Sequence, residues 1–263
     1  MSAAYIMTLI NPAPTGIERR WRMTAHRNLC LGPPEGKHLS GGSALASVVA
    51  LLEHETERPL IQASAQFLAS PTTNSLFEII LTRLQSGRSL SQAAASIMIE
   101  GKEAAIITAS LGSRPSFGEF IWAVAPAVPP PETCPPVPFV RMDEGDLHSQ
   151  LDIRLAGDPR VNPNGRAQFW IGYDGEGLVP APFLTMIADY LPEAIHMNIG
   201  RRAGAVSPDN VIRIVARAAT PWLLCDIRLD AISNGLFHGR MAIYAQDGAL
   251  LASANQSGVV RLL

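Results

Sequence analysis

Ala95-Ser96-Ile97-Met98-Ile99-Glu100-Gly101-Lys102-Glu103-Ala104-Ala105-Ile106-Ile107-Thr108-Ala109-Ser110 and Met241-Ala242-Ile243-Tyr244-Ala245-Gln246-Asp247-Gly248-Ala249-Leu250-Leu251-Ala252-Ser253-Ala254 follow one pattern: an apolar strand, a tight turn containing glycine, and a second apolar strand. The Asp247-Gly248 pair predicts a type I′ turn, because that turn needs positive φ at both central residues and Asp and Gly tolerate it best. The chain therefore reads as two halves that end in the same hairpin.

Working outward from the hairpins, each half offers the same earlier parts. In the first half, Gly41 and Gly42 lead into Ser43 to His54, whose alanines and leucines predict a helix. Strands are expected at Leu60 to Ala69 and Leu76 to Leu84. In the second half, Pro180 and Pro182 stand where a helix begins, since proline is tolerated in a first turn, and Phe183 to His196 continues it. Strands are expected at Val211 to Ala218 and Leu223 to Ala231. In the latter, Leu223, Cys225, Ile227 and Leu229 alternate with Asp226, Arg228 and Asp230, which predicts one buried and one wet face. Helix followed by antiparallel strands, twice over, is an α+β arrangement with a curved sheet laid over one long helix in each half.

Ser113 to Asp146 is rich in proline, with Pro129-Pro130-Pro131 and Pro135-Pro136-Val137-Pro138, and reads as an extended strap between the halves rather than part of either core. The boundary is expected near residue 140, giving units of 1–140 and 141–263. A chain of 263 residues, net charge -2 and pI 6.3 can bury a substantial core and has no electrostatic pull toward nucleic acid or an acidic bilayer. Three scattered cysteines, Cys30, Cys134 and Cys225, argue against a disulfide framework or a cysteine-rich zinc site. The start of the chain has no leader pattern, and no apolar run reaches the length of a membrane span, so a cytoplasmic protein is expected.

Four short blocks carry a family resemblance: Gly41-Gly42, Gln66-Phe67-Leu68 with Pro71, Leu84-Gln85-Ser86-Gly87-Arg88-Ser89, and Ser253-Ala254-Asn255-Gln256-Ser257-Gly258-Val259-Val260-Arg261. Ala188-Asp189 and Pro221-Trp222-Leu223-Leu224 add to them. These are similar, in collinear order over roughly residues 24 to 263, to the acyl-CoA thioesterase II family. The resemblance implies a tandem, or double, hotdog fold in which two helix-in-sheet units lie side by side with continuous sheets. It further implies hydrolysis of acyl-CoA without cofactor or metal, and association of two double hotdogs into a homo-oligomer. In that family an aspartate, a hydroxyl residue and a glutamine position a water; carried over, these are Asp189, Ser207 in Ser207-Pro208-Asp209, and Gln256. Gly41 and Gly42 would offer helix-start N–H groups to the oxyanion, and Arg88 and Ser89 would touch CoA. Ala69 and Gln85 stand where the family has arginine, so substrate affinity or choice is expected to differ.

The residue types suit the chemistry. A thioester is already activated, so an oriented water, a general base and a stabilised oxyanion suffice. On its own, Asp189 among Met186, Ile187, Ala188, Tyr190 and Leu191 reads either as the solvated side of a helix or as a carboxylate buried for a purpose. Gln256 reads as a strand-edge residue or a water holder, and Arg88 as a solvated loop charge or a CoA contact. The six histidines lack i, i+4 spacing, and no Gly-x-Ser-x-Gly elbow or glycine-rich phosphate loop occurs. The rival readings are a non-catalytic acyl-CoA or lipid-binding double hotdog protein, and a hydratase, which would need an Asp and His pair that is not found.

Overall fold

In the computed structural model, which describes residues 2–33, 36–139, 143–157 and 164–263, the chain reverses at the glycine turns. Glu100 (φ 50°) and Gly101 (φ 77°) are both left-handed, as are Asn234 (φ 53°) and Gly235 (φ 75°), the geometry of type I′ hairpins. The expected type I′ turn at Asp247-Gly248 is corrected: only Gly248 has positive φ there, 92°, and its N–H donates to the Ala245 carbonyl at 2.9 Å. Gln246, Asp247 and Gly248 form a longer loop, in which one left-handed glycine is enough.

The first half comprises α1 (Ala3–Leu9), β1 (Ala13–Pro14), β2 (Arg20–Thr24), β3 (Cys30–Leu31), β4 (His38–Leu39), α2 (Gly41–Thr56), β5 (Leu60–Phe67), β6 (Leu76–Ser86), β7 (Leu90–Ile99) and β8 (Lys102–Gly112). The second comprises α3 (Leu147–Gln150), β9 (Ile153–Gly157), β10 (Arg166–Gly172), α4 (Ala181–Ile187), α5 (Glu193–Ile199), β11 (Ala203–Val206), β12 (Asp209–Ile214), β13 (Trp222–Ser233), β14 (Leu236–Ala245) and β15 (Leu250–Leu262). Their sheet runs β1-β2-β6-β7-β8-β5-β12-β15-β14-β13-β10-β9, with β11 added on β15, so the order outward from the centre is the same in both directions. At the central seam β5 and β12 pair antiparallel, from Gln66 opposite Asp209 to Gln62 opposite Arg213. This is the double hotdog.

Inside the curve lie α2 and the α4 region, packed on each other. Ser40 caps α2 by accepting from the Ser43 N–H at 3.1 Å, and Leu45, Val48, Val49 and Leu52 are fully buried. The single second helix expected over Phe183 to His196 is corrected. It divides into α4, a 3-10 turn at Ala188–Tyr190, and α5, with Pro192 at the α5 N-cap. Proline lacks the N–H that an unbroken helix would need there and its ring crowds the preceding turn.

The strap does more than connect. Among its described residues, Pro131 and Cys134 are buried, and the Trp170 indole N–H donates to the Pro129 carbonyl at 2.9 Å. Arg154 reaches the Pro131 carbonyl at 3.0 Å. Cys134, Ala156, Trp170, Leu224 and Tyr244 form a second small core on the outer side of the sheet. Leu224 and Asp226, on the face of β13 expected to be wet, are therefore buried, and Asp226 takes both arms of Arg166 at 2.7 and 2.9 Å. The expected boundary near residue 140 lies outside the described residues.

Candidate active site

Asp189 stands in the 3-10 turn after α4, where the N-terminal end of α2 crosses it. The two elements meet so closely because position 42 is bare: a Cβ there would collide with the Met186 carbonyl oxygen and lie 2.6 Å from Asp189 Cβ. The Gly42 N–H thereby reaches Asp189 Oδ2 at 2.7 Å. On the other side Asp189 Oδ1 accepts from the Gln256 amide and, at 3.5 Å, from the Asn210 amide.

The two amides come from the sheet beneath. Val211 on β12 pairs with Asn255 on β15, so Asn210 and Gln256 follow one step along on each strand. Ala65 opposes Asn210 and Gly239 opposes Gln256, leaving small residues on both flanks of the amide pair. Asn210 is fully buried and Gln256 nearly so, yet Asn210 Oδ1 and Gln256 Oε1 have no hydrogen-bond partner among the described residues. A buried acceptor without a donor costs about 1–3 kcal/mol, so two side by side call for a bound donor such as water.

Burial drives the Asp189 carboxyl up, to about 6, against the lowering effect of the Gly42 N–H and of the Gln256 and Asn210 amides; Glu193 adds a small upward push. Part of Asp189 still reaches solvent, as a group that exchanges protons with a substrate water must.

The expected residues divide by place. Asp189, Gln256, Gly41 and Gly42 meet at one point. Ser207 lies in the bend between β11 and β12, half-buried, with no hydrogen bond to Asp189 among the described residues; Asn210, three residues on, makes that contact instead. Its signal in the sequence was a polar residue on the inward phase of a strand, two before Ile212. Arg88 and Ser89 sit in the β6–β7 turn, near Arg58, which follows the far end of α2 and donates to the Gly87 carbonyl at 3.0 Å. That end is about 20 Å from Gly42 along the helix. Gly42 was expected to leave its N–H open for an oxyanion; Asp189 takes it. Ser43 and Ala44 donate to Ser40, which leaves the Gly41 N–H as the first-turn donor with no acceptor among the described residues.

Two cavities of about 450 and 480 Å³ share Arg27 as a wall, one reaching Lys37 and Asn74 and the other Ser149 and Gln150. Neither is lined by Asp189, Asn210 or Gln256. Among the described residues no group of His, Cys, Asp or Glu is arranged to hold a metal ion, and no helix is long and apolar enough to cross a membrane.

A duplicated antiparallel sheet wrapped around two helical layers that pack on each other defines the tandem hotdog class. Residues 32–112 match the acyl-CoA thioesterase N-terminal domain and residues 131–260 the acyl-CoA thioesterase C-terminal domain. The chain belongs to the acyl-CoA thioesterase family, a family of thioester hydrolases. Among solved structures, a provisionally assigned thioesterase from Novosphingobium aromaticivorans DSM 12444 is 31% identical, with TM-score 0.86 over 94% of this chain and 97% of that one. A hot dog fold protein of unknown function from Alicyclobacillus acidocaldarius has TM-score 0.82 at 19% identity, covering 98% of each chain. Acyl-CoA thioesterase II TesB2 from Mycobacterium marinum has TM-score 0.75 at 19% identity, again covering 98% of each. At those two identities the likeness speaks for the fold. The search of curated proteins returned no match.

Proposed function

We propose that this chain hydrolyses acyl-CoA by general-base activation of water at Asp189. The observation that carries the reading is the convergence of one carboxylate of raised pKa with two buried amides whose oxygens lack donors. A water that donates one proton to the Gln256 or Asn210 amide oxygen would direct its other proton at Asp189, giving that proton to the carboxylate as its oxygen forms a bond to the thioester carbon. The Gly41 N–H, at the positive end of α2, would receive the developing oxyanion. Collapse of the tetrahedral intermediate breaks the C–S bond, releases the fatty acid, and returns the proton from Asp189 to the CoA thiolate. Family similarity and the apolar interior beside the helices support an acyl chain as the group released. Arg88 and Ser89 as CoA contacts, and Ser207 as a water holder, rest on the resemblance alone. The three cysteines are unpaired and buried, which agrees with a reducing cytoplasmic setting.

The test is release of free thiol from a panel of acyl-CoA chain lengths. Asp189→Asn is expected to keep the fold and lose a factor of about 10² to 10⁴ in turnover. Unchanged turnover removes Asp189 from the mechanism, while affinity for acyl-CoA without thiol release from the wild type makes the protein a binder.

A further inference from the structure

On the hydrolase reading, on which this rests, the geometry points to the Phe67 ring as the wall that restricts the chain to acyl groups without a branch on the carbon beside the carbonyl. Phe67 is the last residue of β5, half-buried, and its ring packs on the main core. Two and four residues earlier on the same inward face stand Ala65 and Ala63, both buried, and Ala65 is the residue opposite Asn210. The alanines leave room beside the amide pair, and Phe67 ends that room.

Ring and carboxylate share one side of Gly41. A Cβ at that position would stand 2.9 Å from Phe67 Cε2, 3.1 Å from Phe67 Cζ and 3.3 Å from Asp189 Oδ2. In a helix the Cα–Cβ direction and the first-turn N–H groups both lean toward the N-terminus, so the ring stands beside the Gly41 N–H as well. Its backbone is held from both sides. The Phe67 N–H donates to the Pro208 carbonyl at 2.7 Å, Phe67 pairs with Ala105 on β8, and the Leu68 and Ala69 N–H groups both donate to the Ala104 carbonyl, at 2.8 and 3.0 Å.

A thioester oxygen that accepts from the Gly41 N–H lies about 4 Å from Gly41 Cα. One of the two groups on the thioester carbon must then pass the ring. The sulfur carries the pantetheine arm, whose amides need polar partners, whereas the acyl chain is the arm that gains by lying against an apolar surface. A straight chain presents only hydrogens on its first carbon. A methyl there would press on a ring that is already in contact with Gly41, and one carbon in a closely fitted apolar pocket is worth about 10- to 200-fold in kcat/KM. A branch farther along the chain lies beyond the ring and escapes this discrimination.

Thiol release from hexanoyl-CoA, 2-methylhexanoyl-CoA and 5-methylhexanoyl-CoA by the full chain reads this directly. In Phe67→Ala, kcat/KM for the 2-methyl ester relative to the straight ester is expected to rise about tenfold or more over the wild type, with the 5-methyl ester keeping its ratio. A variant that merely loosens the fold would move both ratios together or neither. Should Phe67→Ala lose its far-ultraviolet circular dichroism spectrum, Phe67→Leu decides, since leucine keeps an apolar side chain but lacks the reach of the ring; the 2-methyl ratio is expected to rise about threefold or more. A 2-methyl ratio that stays put, or a 5-methyl ratio that rises with it, overturns the role of Phe67 and leaves the hydrolase reading standing. A wild type that releases no thiol from any of the three esters overturns both.

Discussion

Three N–H donors converge on Asp189, and each lowers its pKa, yet burial raises it further and leaves it at about 6. The base is then mostly ionised at neutral pH while remaining close enough to solution pH to take and return a proton. Turnover at low substrate should climb with pH through about 6 and level off above, read as kcat/KM across pH 4.5 to 8. Gln256→Leu removes a donor to the charged form, so its rising limb should move to higher pH as well as to lower amplitude; an unmoved limb would show that Asp189 does not govern it. The stability sign runs the opposite way. A carboxyl raised in the folded state contributes most below its unfolded value near 4, and that contribution is lost as pH rises through about 6. At this scale Asp189 and Gln256 were legible only through their family blocks, because neither the helical setting nor the strand end distinguishes a working side chain from a solvated one. Asn210 was missed for a geometric reason: the spacing pointed to Ser207, whereas the inward phase of β12 begins three residues later.

Elements explain why the site is where it is. The N-terminal turn of α2 can approach the α4 turn closely enough to donate to Asp189 because Gly42 has no side chain. Gly42→Ala should push the two apart, at a cost of about 1–3 kcal/mol or more typical of overpacking. A drop in thermal midpoint together with lost turnover is the expected readout; retained stability and activity would mean the crossing can relax. Hairpins, strand alternation and the capped α2 were readable because short-range backbone preferences and periodicity set them. The break at Pro192 and the cover on the outer face of β13 were not. The first needed the proline weighed against a long apolar run, and the second depends on residues 129 to 134 returning to Trp170, which no local pattern encodes.

Across the whole molecule, the antiparallel seam between β5 and β12 makes one sheet of the two halves, and the two helical layers pack against each other inside it. Neither half can lose its structure without exposing the other's core. Unfolding should therefore be a single cooperative transition in scanning calorimetry, with the van't Hoff and calorimetric enthalpies in agreement; two resolved transitions would show that each half stands alone. The duplication itself was legible from the repeated hairpin. The seam register, and with it the row Ala65, Asn210, Gln256 and Gly239, was not, because it joins strands from opposite ends of the sequence.

The division of labour at the helix crossing bears on how freely such a chain can vary. One duplicated half supplies peptide N–H groups to the water site, and the other supplies carboxylate and amides. Main-chain donors survive almost any change of neighbouring side chain, so the α2 side of the site can drift as long as positions 41 and 42 stay without a Cβ, which would meet Phe67 at the first and Met186 and Asp189 at the second. The opposite side has no such latitude, since each of its contributions is the identity of a single residue.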